Sequence, residues 1–289
     1  MKKEFILDDL NCGAKKAPVC LCLDVSSEMK LIWDDDLINA AKKIDDAHKN
    51  ALSRSNRRVK LKELINNFYD ELPSSVRKKY GKTKQDMLQK IESIDTGINQ
   101  SRKVLKIFFE TLRKKQQKDI SVEVCVITFS GGKASVLLPF AGREKWDDEK
   151  WLREASSKFA QISYGNEKKS MYIGLEKAAE MLNERFKSYE KNVPAVRGRL
   201  VLLTRPSESS ESTVEKIKIR HVLNKDLLKF KIIPVLLGKN EEQVSGSIAG
   251  LNFPAGTKFF NASVEPDALE KIFEAISVSV SSNSPEIQL

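Results

Sequence analysis

The sequence predicts an α/β fold, in which a mostly parallel sheet carries helices on both of its faces. Short apolar runs alternate along the chain with longer amphipathic stretches, the order expected of strands that are linked by crossover helices. Several runs are continuously apolar, as in strands that are buried on both sides. A Gly-Gly step between two other runs predicts one antiparallel hairpin. The expected sheet is therefore Rossmann-like, with one antiparallel edge strand.

The strand candidates are short and are separated by polar turns. Residues 18–25 form the first continuous apolar run, and residues 121–129 and 134–140 flank the turn that contains Gly131 and Gly132. Such a turn between two apolar runs is typical of a β-hairpin. The remaining candidates are residues 199–204, residues 231–237 and the weaker segment 258–261.

Helical periodicity marks the segments between these strands. Residues 171–191 place Leu175, Ala178 and Leu182 on one helix face. Residues 214–230 and 266–280 show a similar pattern. The loops are short and no low-complexity linker interrupts them, so we expect residues 1–289 to form a single domain.

One segment does not fit the alternation of strands and helices. Residues 30–94 lie between the first strand and the helix that should follow it, and they contain several apolar seams with helical spacing. A heptad-like series from Met87 to Leu112 predicts one long helix over residues 83–115. His48 falls on another seam, which favours packing over metal ligation. We therefore expect a helical arm inserted into the sheet domain.

Composition and charge limit the classes of protein to consider. The 289 residues are 40% hydrophobic and 31% charged, as in an ordinary globular protein, and no apolar run is long enough to cross a bilayer. The N-terminal residues carry acids where a signal peptide needs an apolar stretch. Cys20, Cys22 and Cys125 lie within strand candidates, which predicts buried thiols. These observations favour a protein of the reducing cytoplasm, with no membrane partner.

The net charge is +10, and basic clusters within the predicted arm contribute to it. Arg57 and Arg58 lie in one cluster, and Lys78 and Lys79 lie in another. Such residues could bind an acidic protein or, as a less favoured alternative, nucleic acid. Acids are interleaved between the clusters, so a solvated polar face explains the same pattern.

A short motif follows the first strand. Asp24 and Ser26 begin a loop that continues to Glu28 and resembles the D-x-S-x-S metal-ion-dependent adhesion motif of von Willebrand factor A domains. The resemblance covers about residues 15–29 and 95–280. Within these residues the chain is similar to the tellurium-resistance-associated bacterial branch of the family. It implies a site in which an aspartate, two serines, a threonine and a second aspartate surround one Mg²⁺ ion.

Most of these implied ligands are replaced in this chain. Glu28 stands where the motif has its last serine, and Arg205 stands where the second aspartate is expected. Lys169 falls on the threonine position, with Ser170 one position away. Cationic side chains in a site for a divalent cation would repel it, so we expect neither a metal nor another cofactor. We hypothesise that Lys169 or Arg205 replaces the metal and pairs with Asp24 and Glu28, although drifted surface loops would give the same sequence.

No motif of an enzyme accompanies this degenerate site. The chain has no P-loop and no G-x-S-x-G nucleophile elbow, and its two histidines lack an evident catalytic partner. We therefore expect a non-catalytic interaction or scaffold module, and the resemblance places such modules in bacterial stress-response or defence systems. Two alternatives remain: a nucleic-acid-binding protein that uses the arm, and an adhesion-type binder that retains weak Mg²⁺ binding. Whether the arm caps the recognition face or extends it is left open.

Overall fold

A computed structural model gives the fold of most of the chain. It describes residues 15–30, 35–49, 57–93, 97–115, 117, 120–163, 169–189, 197–205, 212–237, 251, 253–255, 257–262, 268–282 and 287.

The described residues form a six-stranded sheet with the strand order β3-β2-β1-β4-β5-β6. Strand β3 runs antiparallel to β2, whereas β2, β1, β4, β5 and β6 are parallel to one another. The predicted α/β fold, with a mostly parallel sheet and one antiparallel edge strand, is therefore confirmed. The strands are β1 (Lys15–Asp24), β2 (Ile120–Phe129), β3 (Ala134–Ala141), β4 (Arg199–Thr204), β5 (Lys231–Leu237) and β6 (Phe260–Ala262).

Helices lie within the predicted segments 171–191, 214–230 and 266–280, with bounds that differ by a few residues, whereas the two helices within residues 143–160 were not predicted. A short 3₁₀ turn follows β1 at Ser27–Lys30, another lies at Tyr69–Glu71, and a π-type turn lies at Val222–Asp226. The α-helices in the described part of the chain are α1 (Asp35–Ala47), α2 (Arg57–Phe68), α3 (Ser74–Tyr80), α4 (Lys84–Ser93), α5 (Gly97–Lys115), α6 (Arg143–Trp146), α7 (Glu149–Ala160), α8 (Met171–Lys187), α9 (Thr213–His221) and α10 (Ala268–Ser281).

The sheet divides the main core into two layers. Along β1, Val19 and Leu21 pack into the layer with α5 and α10, whereas Cys20 and Cys22 pack into the layer with α8 and α9. This alternation follows from the two-residue period of a strand, and both faces are apolar because helices cover both. Cys20, Cys22 and Cys125 are buried free thiols, as predicted.

Helices α1 to α4 lie in the predicted arm and share a separate hydrophobic cluster. Beside it, the exposed His48 ring packs at a tilt against Phe68 and lies 2.8 Å from Glu71. The cluster consists of Leu37, Ala40, Ala41, Ile44, Leu61, Leu64, Ile65, Leu72, Val76, Tyr80 and Met87.

The division of residues 1–289 into one domain with an insertion at residues 30–94 stays a prediction.

The predicted heptad seam over residues 83–115 does not form one continuous interface. The structure describes helix on both sides of residues 94–96, which themselves lie outside the described residues. Met87 of α4 packs into the cluster of the arm, whereas Leu105 and Leu112 of α5 pack against the sheet. One continuous helix over residues 83–115 stays a prediction. The seam was misleading about packing, because its first and last described apolar residues face different cores.

A buried polar network lies at the foot of the sheet, which we define as the amino-terminal ends of the parallel strands. Glu123 of β2 accepts hydrogen bonds from Arg185 Nε at 2.6 Å and from the Tyr189 hydroxyl at 2.7 Å. Its other oxygen lies 3.4 Å from Lys16 Nζ. Burial alone would raise the pKa of Glu123, but these hydrogen bonds and the two cations outweigh it and hold the pKa below its ordinary value.

We expect Glu123→Gln to destabilise the protein by about 2 kcal/mol at neutral pH, because Arg185 would lose its charged partner. The figure is below the roughly 3–5 kcal/mol expected when one partner of a fully buried pair is removed, since Arg185 and Lys16 remain about a third exposed. A carboxyl group with a lowered folded-state pKa stabilises the fold above its unfolded-state pKa of about 4.3. That stability is lost as the pH falls towards the folded-state value, and the glutamine variant lacks this component of acid sensitivity.

Urea unfolding of both proteins between neutral and acidic pH would measure this effect. Glu110→Gln is a suitable control, because Glu110 contacts Lys106 at 3.9 Å on an exposed helix face. We expect the control to lose less than about 0.5 kcal/mol. Equal losses in the two variants would show that the network at the foot of the sheet contributes no special stability.

Candidate functional site at the head of the sheet

Two neighbouring parallel strands end in polar residues at the head of the sheet, which we define as the carboxyl-terminal ends of β1 and β4. Asp24 is the last residue of β1 and Thr204 is the last residue of β4, and both are fully buried. The Thr204 hydroxyl donates a hydrogen bond of 2.8 Å to Asp24 Oδ2. The Ser26 backbone amide donates one of 2.9 Å to Asp24 Oδ1. Both carboxylate oxygens therefore have protein donors.

Helix α8 brings a cation to the same place. Lys169 and Ser170 immediately precede the helix, and Lys169 Nζ donates a hydrogen bond of 2.7 Å to the Arg205 carbonyl oxygen. Gly174 lies against the buried ring of Phe129, where a Cβ atom would approach the ring to 2.6 Å. Phe129 is the register partner of Asp24, so this close packing holds the start of α8 near the end of β1.

The charge of Lys169 acts directly on Asp24. Burial raises the pKa of the Asp24 carboxyl above its ordinary value, and this is the largest influence on it. The Lys169 ammonium opposes the effect most strongly, followed by hydrogen bonding from Ser26 and Thr204. The opposing groups offset the cost of burial only in part, so the pKa stays raised.

Two further side chains at this site are buried. Arg205 is only 3% exposed, so most of its surface is withdrawn from solvent. Ser26 Oγ is buried beside the Asp24 carboxylate and, within the described part of the chain, makes no hydrogen bond of good geometry. Ser170 occupies the N-cap position of α8, but its side chain forms no capping hydrogen bond.

Only some of the residues that the sequence singled out at the head of the sheet can be placed next to one another. Lys169 lies near Asp24 and is bonded to the backbone of Arg205, whereas the side chain of Glu28 is outside the described residues. The pairing of Glu28 with a cation therefore stays a prediction. Sequence reasoning missed Thr204, although a hydroxyl residue at the end of an apolar strand was a visible signal.

The basic residues predicted on the arm belong to a different part of the molecule. The side chains of Arg57 and Arg58 lie outside those that the structure describes. Lys78 is exposed in the last turn of α3. Lys79 lies 3.5 Å from Asp36, so its charge is partly satisfied within the arm.

Two kinds of feature are absent from the described residues. Histidine, cysteine, aspartate and glutamate side chains form no cluster of three or more there that could hold a metal ion. In the same part of the chain, no helix is both long enough and apolar enough to cross a membrane.

Comparison with known proteins gives a fold but no close relative. No protein-family model matches the sequence, and no curated protein matches it. Among solved structures, the chain is similar to a von Willebrand factor type A protein from Catenulispora acidiphila, with 11% identity over 93% of this chain and a TM-score of 0.50. It is also similar to the PilB minor pilin from Streptococcus sanguinis, with 12% identity over 94% of this chain and a TM-score of 0.55.

A third similar structure is the pilus adhesin SpaC from Lactobacillus rhamnosus GG, with 11% identity over 93% of this chain, 31% of the adhesin and a TM-score of 0.50. The chain spans 43% of the Catenulispora protein and 62% of the minor pilin. At these identities the likeness concerns the fold alone. The chain thus has a von Willebrand factor A-like fold.

We expect Lys169→Met to raise the pKa of Asp24 further, because the variant removes the positive charge that opposes burial most strongly. The measurement is a carboxyl-carbon NMR titration of Asp24 in the wild-type protein and the variant. Lys177→Met is the matched control on the same helix, since Lys177 contacts Glu180 at 2.7 Å. A pKa of Asp24 that is unchanged in Lys169→Met would show that the ammonium is not held beside the carboxylate.

Proposed function

We propose that this protein is a non-catalytic interaction module that recognises a partner protein at the head of the sheet without using a divalent cation. The observation that carries the proposal is the position of Lys169, whose ammonium donates a hydrogen bond to the carbonyl oxygen of Arg205, the residue that follows the Asp24 donor Thr204. Its charge also opposes the effect of burial on the pKa of Asp24. In an intact von Willebrand factor A metal site, a divalent metal ion would neutralise the carboxylate at this position.

The chemistry of the described side chains suits an internal cation better than Mg²⁺. A magnesium ion requires about six oxygen ligands in a nearly octahedral arrangement. Both Asp24 oxygens already accept hydrogen bonds from protein donors. A Mg²⁺ ion placed between Asp24 and Lys169 would be repelled by the ammonium, and this repulsion is strong where water is excluded.

The position of the site supports recognition of a partner. In open α/β sheets, ligands bind beyond the carboxyl ends of the strands, and Asp24 and Thr204 mark this end here. Domains with this fold typically mediate protein interactions. A buried Asp24 with both oxygens engaged is poorly placed to transfer a proton to a substrate, which favours binding over catalysis.

The biological setting that we propose is a scaffold of a bacterial stress-response or defence system in the cytoplasm. The support for this setting is the resemblance of the sequence to the tellurium-resistance-associated branch of the family. Nucleic-acid binding by the arm has less support. Lys79, one of the basic residues predicted to bind there, already forms an ion pair with Asp36.

We expect calorimetric titration with Mg²⁺ or Mn²⁺ to show no micromolar binding to the wild-type protein. A matched variant, Glu28→Ser with Lys169→Thr and Arg205→Asp, restores the ligand types of the intact motif and removes two cations. We expect this variant to bind the ion, since oxygen ligands then replace the repelling groups. Micromolar binding by the wild type that Asp24→Ala abolishes would overturn the metal-independent part of the proposal.

A second experiment tests recognition at this face. Affinity capture from the native cytoplasm, with quantitative mass spectrometry, compares the wild-type protein with Lys169→Met and Lys177→Met. We expect one or a few partners to be depleted with Lys169→Met and retained with Lys177→Met, because only the first change alters the head of the sheet. Identical partners in all three captures would place recognition elsewhere on the molecule.

A further inference from the structure

The outer side of α9 exposes two aliphatic residues on one turn. Val214 is 61% exposed and Ile217 is 59% exposed, which makes them the most exposed large hydrophobic residues of the described part of the chain. They are three positions apart and therefore lie side by side on the helix surface. The opposite side of α9 packs through Ile219, so the helix has a separate buried stripe. Single exposed aliphatic residues are ordinary, but an adjacent pair forms a patch.

The same helix has a strongly unbalanced charge. Its nine residues include Lys216, Lys218 and Arg220 but a single acid, Glu215. Glu215 is used in the capping box, where it accepts a hydrogen bond from the Ser212 backbone amide at 3.1 Å. Elsewhere on the surface, Lys106 pairs with Glu110 and Arg143 with Asp147.

A neighbouring helix fixes one of these basic side chains. Lys218 Nζ lies 5.1 Å from the ring centroid of Tyr172, near the start of α8. Lys218 and His221 are one and two turns from Val214 in helical spacing, so they share its side of α9. The result is an aliphatic pair with a positioned cation beside it.

We propose that this side of α9 is a docking surface for an acidic amphipathic helical segment of a partner protein. The aliphatic pair provides contacts at the spacing of a helix that lies in a groove or along another helix. Lys218 beside the pair selects acidic side chains next to the apolar stripe of that segment. An anionic bilayer fits less well, because a membrane-binding surface normally presents a wider apolar face. The proposal does not depend on the head of the sheet being a binding face.

Fluorescence anisotropy with two labelled synthetic peptides tests this proposal on the full chain. Both peptides carry leucines at helical spacing, one with glutamates between them and the other with lysines. We expect only the glutamate peptide to bind the wild-type protein. The double change Val214→Ser with Ile217→Ser should weaken binding at least about tenfold, as should Lys218→Glu alone.

Leu228→Ser is the matched control, because Leu228 is a 56% exposed aliphatic residue outside α9. We expect this variant to bind the glutamate peptide like the wild type. Three results would overturn the proposal: no binding of the glutamate peptide, equal binding of the lysine peptide, or an equal loss in Leu228→Ser. Binding to vesicles of anionic lipid without peptide binding, or concentration-dependent dimerisation lost on the double change, would identify a different occupant and also overturn it.

Discussion

A carboxylate buried at the end of the central strand is the constraint on which the head of the sheet depends. Removing an ionised group from water is costly unless donors and opposite charge surround it. Asp24 is fully buried, and its donors come from the loop after β1 and from the neighbouring strand β4. The opposing charge of Lys169 comes from the start of α8. Three separate parts of the chain must therefore come together around one side chain.

Helix α8 connects the two polar centres of the molecule. It begins beside Asp24 at the head of the sheet and, near its end, Arg185 binds Glu123 at the foot. The two centres differ in their electrostatic outcome. At Glu123, hydrogen bonds and cations outweigh the effect of burial, so the pKa is lowered. At Asp24, burial outweighs the hydrogen bonds and the nearby cation, so the pKa is raised.

Helices α1 to α4, in the predicted arm, pack on one another. They bury apolar side chains in a cluster of their own, so the sheet can keep the packing of an ordinary α/β domain. The exposed side of α9 belongs to the sheet domain instead, and its aliphatic pair has no role in the core.

The sequence by itself determined the fold class, because continuous apolar runs and a Gly-Gly hairpin are local signals that survive without homologues. It also pointed to Asp24 and Lys169, through a resemblance in a short motif. The tertiary structure decided which groups meet. The contact of Thr204 with Asp24 spans 180 residues of chain, and the bond from Lys169 to the Arg205 backbone depends on how closely α8 packs against β2.

The heptad seam shows the same limit of prediction from local sequence. Periodicity correctly indicated helix on both sides of residues 94–96, but it could not tell that Met87 and Leu112 face different cores. A local pattern records which side of a helix is apolar, whereas the partner of that side is fixed only when distant segments pack together.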